Sequence, residues 1–170
     1  EAGVHILAKD VVLPAGAVLI SDEDQLVVAV SIPAEQDLGE SVAEEAVADA
    51  DYIQEAVPEK PEIKDAVLRR IEAAARPDAI IASNTSTLPI GGLAKSLNKA
   101  DRFLGVHFSN PSPFIPGVEV ILHAGTDESL VPEVEELVRS TGKLTARLSD
   151  SPGFVLNRLQ YALLKEAISI

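Results

Sequence analysis

At 170 residues and 18.0 kDa the chain is about one domain in size, with room for a small appendage. Hydrophobic residues make up 46% and the mean hydropathy is +0.18, which excludes a disordered tail and permits a sizeable core. The net charge of −13, from 14 basic and 27 acidic residues, argues against nucleic acid or an anionic membrane as a partner.

Residues 4–32 read as β structure. Short apolar runs at 4–7, 11–13, 17–20 and 26–32 are separated by Lys9-Asp10, Pro14-Ala15-Gly16 and an acidic turn at 21–24. An acidic, turn-rich stretch at 33–40 follows as a linker or surface loop, and the linker between the two parts is set at 37–41. From there strand-like and helix-like segments alternate, the pattern of βαβ units and a parallel sheet. The spacing predicts a strand over 51–57 and a helix over 61–75, with Pro61 in its first turn and an apolar stripe at Ile63, Val67, Ile71 and Ala74. A strand over 79–82 runs into Ser83-Asn84-Thr85-Ser86, and a short helix over 90–97 precedes strands over 103–108 and 118–122. A helix over 127–141 carries acids in its first turn and Gly142 as its stop. The last strand covers 145–148, and Pro152 opens a final helix. The expected fold is therefore α/β: a partial Rossmann-like, mostly parallel sheet with flanking helices, preceded by a short β-rich segment. Residues 42–150 form its main part, and 151–170 begin a further helical part.

No apolar run approaches the ~18 residues of a membrane span, and no basic stretch followed by an apolar one suggests a signal peptide, so a cytoplasmic location is expected. Cysteine is absent, which excludes disulfides, thiolate nucleophiles and cysteine-ligated metals. Methionine is absent too, and the chain stops while still in helical periodicity; a trimmed functional unit is the expectation.

In open α/β sheets ligands sit beyond the carboxyl ends of the strands, and the polar clusters fall there: Pro58-Glu59, 83–86 and 107–110. His107 stands where an apolar strand turns polar, and Glu119 is an acid within the apolar Val118-Glu119-Val120. Such an acid needs a partner, and a carboxylate bonded to one imidazole nitrogen raises the basicity of the other. The pattern alone fits better a structural histidine bonded to backbone, with Glu119 facing solvent on an edge strand. Residues 83–86 offer hydroxyls and an amide for a substrate oxygen, or cap the following helix. Asn157 reads from pattern alone as an exposed helix residue, and His5 and His123 as structural or exposed. The glycine-rich dinucleotide loop G-x-G-x-x-G is absent, as are a Walker loop, a paired-histidine metal signature and a nucleophile elbow.

The segments 50–59, 82–86, 107–111, 118–120 and 150–158 occur in one order, and that order and spacing closely resemble the 3-hydroxyacyl-CoA dehydrogenase family over roughly residues 41–170. The run Asn157-Arg158-Leu159-Gln160-Tyr161-Ala162 looks more like the branch containing lambda-crystallin. The resemblance implies hydride transfer between NAD and a carbon bearing a 3-hydroxyl group, on a small-molecule 3-hydroxyacyl substrate. It implies His107 as general acid/base and Glu119 as its acidic partner. Ser86 and Asn157 match residues that bond the reacting oxygen or the histidine. Glu59, Lys64 and Asn110 match positions near the nicotinamide and its ribose. Ser109 departs from the family, which usually has a Phe there; a change in packing beside the site is expected. Residues 1–36 occupy the place of the family's first strands without the glycine fingerprint, and they weakly resemble the C-terminal β-domain of CTC-type bacterial ribosomal proteins. A chimera or fragment, with NAD binding and turnover weak in isolation, is the resulting expectation. The competing reading is a non-enzymatic scaffold whose unpaired sheet edge is covered by the N-terminal segment or by another copy, giving a homo-oligomer.

Overall fold

The computed structural model describes residues 5–7, 26–29 and 47–169. The chain divides into two compact units, Glu1–Leu38 and Gly39–Ile170. In the first, strands β1 (His5–Leu7) and β2 (Leu26–Ala29) pair antiparallel in a two-stranded sheet of their own. The remaining β runs expected at 11–13 and 17–20, and the linker at 37–41, lie outside the described residues.

The second unit is built on a five-stranded sheet in the order β3 (Tyr52–Glu55), β4 (Ile80–Ser83), β5 (Phe103–Phe108), β6 (Gly117–Leu122) and β7 (Leu144–Ser149). Three of the four pairings are parallel; β5 and β6 run antiparallel. The expectation of a mostly parallel, Rossmann-like sheet with flanking helices therefore stands. Between the strands lie α1 (Pro61–Ala74), α2 (Ile90–Ala94) and α3 (Val131–Ser140), the last preceded by a 3-10 turn at Glu128–Leu130; α4 (Leu156–Ile168) closes the chain.

Strand alternation divides the core between the two faces of the sheet. On one face Ile53, Ile81, Phe103 and Ile121 pack with Leu68 of α1, with Ile90 and Leu93 of α2, and with Phe154. On the other, Ile80, Ala82, Leu104, Val106, Val118 and Val120 pack with Val131, Val134 and Val138 of α3. Burying each large aliphatic contributes about 1.5–3 kcal/mol. Gly105 is what lets α2 sit down on the first face: a Cβ there would lie 2.7 Å from Ile90 Cδ1. Helix α3 is tied to β7 by Glu135, whose buried carboxylate accepts from Arg147 Nε at 2.6 Å and from Arg139 Nη2 at 2.9 Å. It ends at Gly142, in the left-handed region with φ 81°, where the N–H donates to the Arg139 carbonyl at 2.9 Å.

Three local expectations are corrected. The buried line of α1 runs through Lys64 and Leu68, one residue on from the expected stripe at Ile63 and Val67, because a buried acid faces Lys64 from β3. The helix expected over 127–141 opens as a 3-10 turn because the Asp127 carboxylate accepts the Ser129 N–H at 2.9 Å and tightens that turn. The final helix starts at Leu156 and not at Pro152, since Gly153 and Phe154 both take positive φ. No helix among the described residues is long and apolar enough to cross a membrane.

Candidate functional site

On the first face the sheet turns polar toward the carboxyl ends of β3, β4 and β5: one pleat beyond Ile53 and Ile81 on β3 and β4, and one pleat beyond the Gly105–Ile121 pair on β5 and β6. Glu55, Ser83, His107 and Glu119 sit there, all of them buried. The site is thus the polar end of a hydrophobic core, at the carboxyl ends of β3, β4 and β5.

His107 and Glu119 face each other directly in the β5–β6 register. Strand β6 lies between β5 and β7, so Glu119 is not on an edge and does not face solvent. Its Oε2 is 2.7 Å from His107 Nδ1, and its Oε1 accepts the N–H groups of Val155 and Leu156 at 3.0 and 2.9 Å. A carboxylate only accepts, so Nδ1 of the imidazole is the donor and Nε2 carries the lone pair. Ser86 Oγ lies 3.0 Å from that Nε2. Asn157, in the first turn of α4, donates from Nδ2 to the Ser86 carbonyl at 2.8 Å, so it is not merely an exposed helix residue. The four residues expected at the reacting centre are thus joined by hydrogen bonds through three contacts.

Glu59 is the second hub. Its Oε1 accepts the Thr85 hydroxyl at 2.5 Å, the Ser86 N–H at 2.9 Å, and the Thr87 N–H and hydroxyl at 2.9 and 3.0 Å. Partial burial acts to raise its pKa, but these bonds outweigh it and hold the carboxyl down at about 2. Glu59 Oε2 lies 3.5 Å from Lys64 Nζ. Lys64 itself is 1% exposed; its ammonium donates to Glu55 Oε1 at 2.8 Å and to the Val57 carbonyl at 3.0 Å. Asn110 is exposed beyond the end of β5, preceding the cis bond to Pro111.

Sequence reasoning missed Glu55, and with it that the Ser83 and Thr85 hydroxyls bond the carboxylates of Glu55 and Glu59. Glu55 receives Lys64, the Ser83 hydroxyl at 2.5 Å and the Val57 N–H at 2.6 Å. The signal was weak: β3 reads Tyr-Ile-Gln-Glu, half polar, so an acid at its end does not stand out as Glu119 does between Val118 and Val120. Residues 83–86 do not cap α2. That role falls to Asp150, whose carboxylate accepts the Ile90 and Gly91 N–H groups at 2.9 and 2.7 Å. Asn84 instead fixes the end of β5 by accepting the Phe108 N–H at 2.8 Å. His123 is structural, its Nε2 2.9 Å from the Ala100 carbonyl and its ring tilted against Phe103. The side chain of His5 lies outside the described residues. Ser109 Oγ is buried and has no hydrogen-bond partner among the described residues. No group of three His, Asp or Glu that could hold a metal occurs among the described residues.

Comparison with known proteins places the chain in one family. Residues 31–151 match the family model of the 3-hydroxyacyl-CoA dehydrogenase NAD-binding domain. The fatty acid oxidation complex subunit alpha of Acinetobacter baylyi is 44% identical over 113 residues, 66% of this chain and 16% of the relative. The 5-formyl-3-hydroxy-2-methylpyridine 4-carboxylate 5-dehydrogenase of Mesorhizobium japonicum is 42% identical over 127 residues, 74% of this chain and 41% of the relative. Among solved structures, FadB2 of Mycobacterium tuberculosis superposes with a TM-score of 0.71 at 36% identity, over 74% of this chain and 45% of that one. The chain therefore spans less than half the length of each of these relatives. Over the matched residues it belongs to the 3-hydroxyacyl-CoA dehydrogenase family, within that family's NAD-binding domain.

Proposed function

We propose that the chain carries the acid/base half of an NAD-dependent oxidoreductase acting at the 3-hydroxyl carbon of an acyl thioester. The observation that supports this reading is the relay Ser86 Oγ to His107 Nε2 at 3.0 Å and His107 Nδ1 to Glu119 Oε2 at 2.7 Å. NAD, when bound, supplies the hydride acceptor, or as NADH the donor. In the oxidising direction His107 Nε2 takes the hydroxyl proton as the carbonyl forms; in the reducing direction it returns that proton. Glu119 holds the ring with Nδ1–H inward and stabilises the imidazolium. Ser86, whose hydroxyl donates to Nε2 here, would turn that donor to the reacting oxygen when substrate takes its place at Nε2, and Asn157 fixes the Ser86 backbone. Positioned proton transfer of this kind contributes about 10²–10⁴-fold in rate.

The residues fit one end of the cofactor. Glu59, with its side chain 37% exposed beside Ser86 and Thr87, would hold the ribose next to the nicotinamide, with Asn110 at its rim. Lys64 would act through Glu59 and Glu55, since its ammonium is turned inward. The pyrophosphate end does not fit: none of the ten glycines of the sequence stands two residues from another, as a G-x-G turn requires. On this reading these 170 residues by themselves bind NAD weakly and turn over slowly.

The test is calorimetric titration with NADH, followed by acetoacetyl-CoA-dependent loss of NADH absorbance. The expected result is no micromolar binding, and slow turnover at millimolar NADH that His107→Gln abolishes. Micromolar binding would contradict the weak cradle. Turnover equally fast in His107→Gln would contradict the acid/base assignment.

A further inference from the structure

We infer that Phe154 is a positioning residue for the reaction, acting through both members of the His107–Glu119 pair. This deepens the acid/base reading and rests on it.

Phe154 is the non-glycine residue with positive φ among the described residues, at 47°. An L side chain with a Cβ is disfavoured there, so something must hold it in place. Its ring is 1% exposed, in the core cluster that also contains Ile53, Phe103 and Ile121. The ring centroid lies 5.7 Å from that of His107, tilted by 55°. Core burial of the ring therefore stabilises the strained backbone and walls one side of the imidazole.

The backbone does the second task. Gly153, with φ 74°, and Phe154 together turn the chain back on itself, closed by the Phe154 N–H donating to the Ser151 carbonyl at 2.9 Å. The next two N–H groups, of Val155 and Leu156, then both point at Glu119 Oε1. With Oε1 occupied by two donors, Oε2 is the oxygen left for His107 Nδ1. One residue further, Asn157 reaches the Ser86 carbonyl. The left-handed turn at Phe154 thus holds the carboxylate so that one accepting oxygen stays at Nδ1, and that acceptor favours the tautomer with its proton on Nδ1.

The experiment is ¹⁵N NMR of the side chain of His107, which distinguishes the two tautomers whether or not the protein turns over. It is made on wild type, Phe154→Leu, which keeps apolar bulk but loses the ring face, and Phe154→Gly, which keeps the left-handed turn at no steric cost. Ile53→Ala, in the same core cluster and away from the pair, is the control. Wild type is expected to show His107 protonated at Nδ1. Phe154→Leu is expected to give a mixture of tautomers and a kcat about 10–100-fold lower at unchanged KM for NADH. Phe154→Gly should keep more of the Nδ1–H form than Phe154→Leu, and Ile53→Ala should keep it fully. An unchanged tautomer and kcat in Phe154→Leu would overturn the proposal. An equal change in Ile53→Ala would reduce Phe154 to a core residue and overturn it too. A wild type lacking the Nδ1–H form would refute the acid/base pair itself, and this proposal with it.

Discussion

Substituting Lys64 by Met removes one half of a buried ion pair and leaves the other half in place. Lys64 is 1% exposed and the side chain of Glu55 0%. In the variant Glu55 keeps the Ser83 hydroxyl and the Val57 N–H but loses its counter-charge at 2.8 Å, and the Val57 carbonyl loses its donor at 3.0 Å. Breaking a buried pair by deleting one partner costs about 3–5 kcal/mol, because an uncompensated charge stays inside. For a unit of about 130 residues each kcal/mol lowers Tm by about 3–4 °C, so Lys64→Met is expected to melt about 10–20 °C below wild type. Urea denaturation followed by circular dichroism measures the same loss as a shift in midpoint at constant slope. The double variant Glu55→Gln/Lys64→Met, which removes both charges, is expected to recover about half of the loss. A loss below about 1 kcal/mol for Lys64→Met, or no recovery in the double variant, would refute the view that this pair is sealed from water.

Three further predictions concern the frame around the site. Gly105→Ala is expected to destabilise by about 1–3 kcal/mol in the same urea assay, since its Cβ would lie 2.7–3.1 Å from Ile90 and Ile121; a neutral outcome would mean that α2 is not seated on β5. Glu59 has a pKa depressed to about 2, so its stabilising contribution is present above its unfolded value, near 4.5, and is lost as pH falls from there through about 2. A shift of that size in a fully enclosed group corresponds to about 3 kcal/mol, and solvent screening of a side chain 37% exposed reduces it to about 1–1.5 kcal/mol. The stability gap between wild type and Glu59→Gln should therefore close between pH 5 and pH 2, and a gap that widened would have the sign wrong. Asp150→Ala removes two backbone bonds at the start of α2 and is expected to cost about 0.5–2 kcal/mol, read as a shift in the urea midpoint; no shift would mean the cap contributes nothing.

Much of this architecture is legible in the chain itself, and the parts that are not share a cause. Strand β5 falls on the residues its apolar run predicts, and β6 starts one residue earlier than its own. Glu119 stands out because an acid inside an apolar strand needs a partner, and the register supplies His107. What the sequence hides depends on contacts between separate elements, most of them distant along the chain. The burial of Lys64 contradicts helical periodicity and becomes intelligible only once β3 places Glu55 beneath it, nine residues earlier. The cap of α2 comes from Asp150, 60 residues away, where local reasoning looked to the neighbouring Ser and Thr. Asn157 reads as a surface residue until the turn at Phe154 aims it at a carbonyl 71 residues back in the chain.

The central claim is that His107 and Glu119 act as one acid/base unit. Its most direct test is the rate of acetoacetyl-CoA-dependent NADH oxidation, at the highest attainable NADH, in wild type, His107→Gln, Glu119→Gln and the double variant. Each single variant is expected to lose about 10²–10⁴-fold, and the double variant no more than the worse single, because the second substitution has nothing left to remove. A His107→Gln variant that retains the wild-type rate, or losses that multiply in the double variant, would contradict the account.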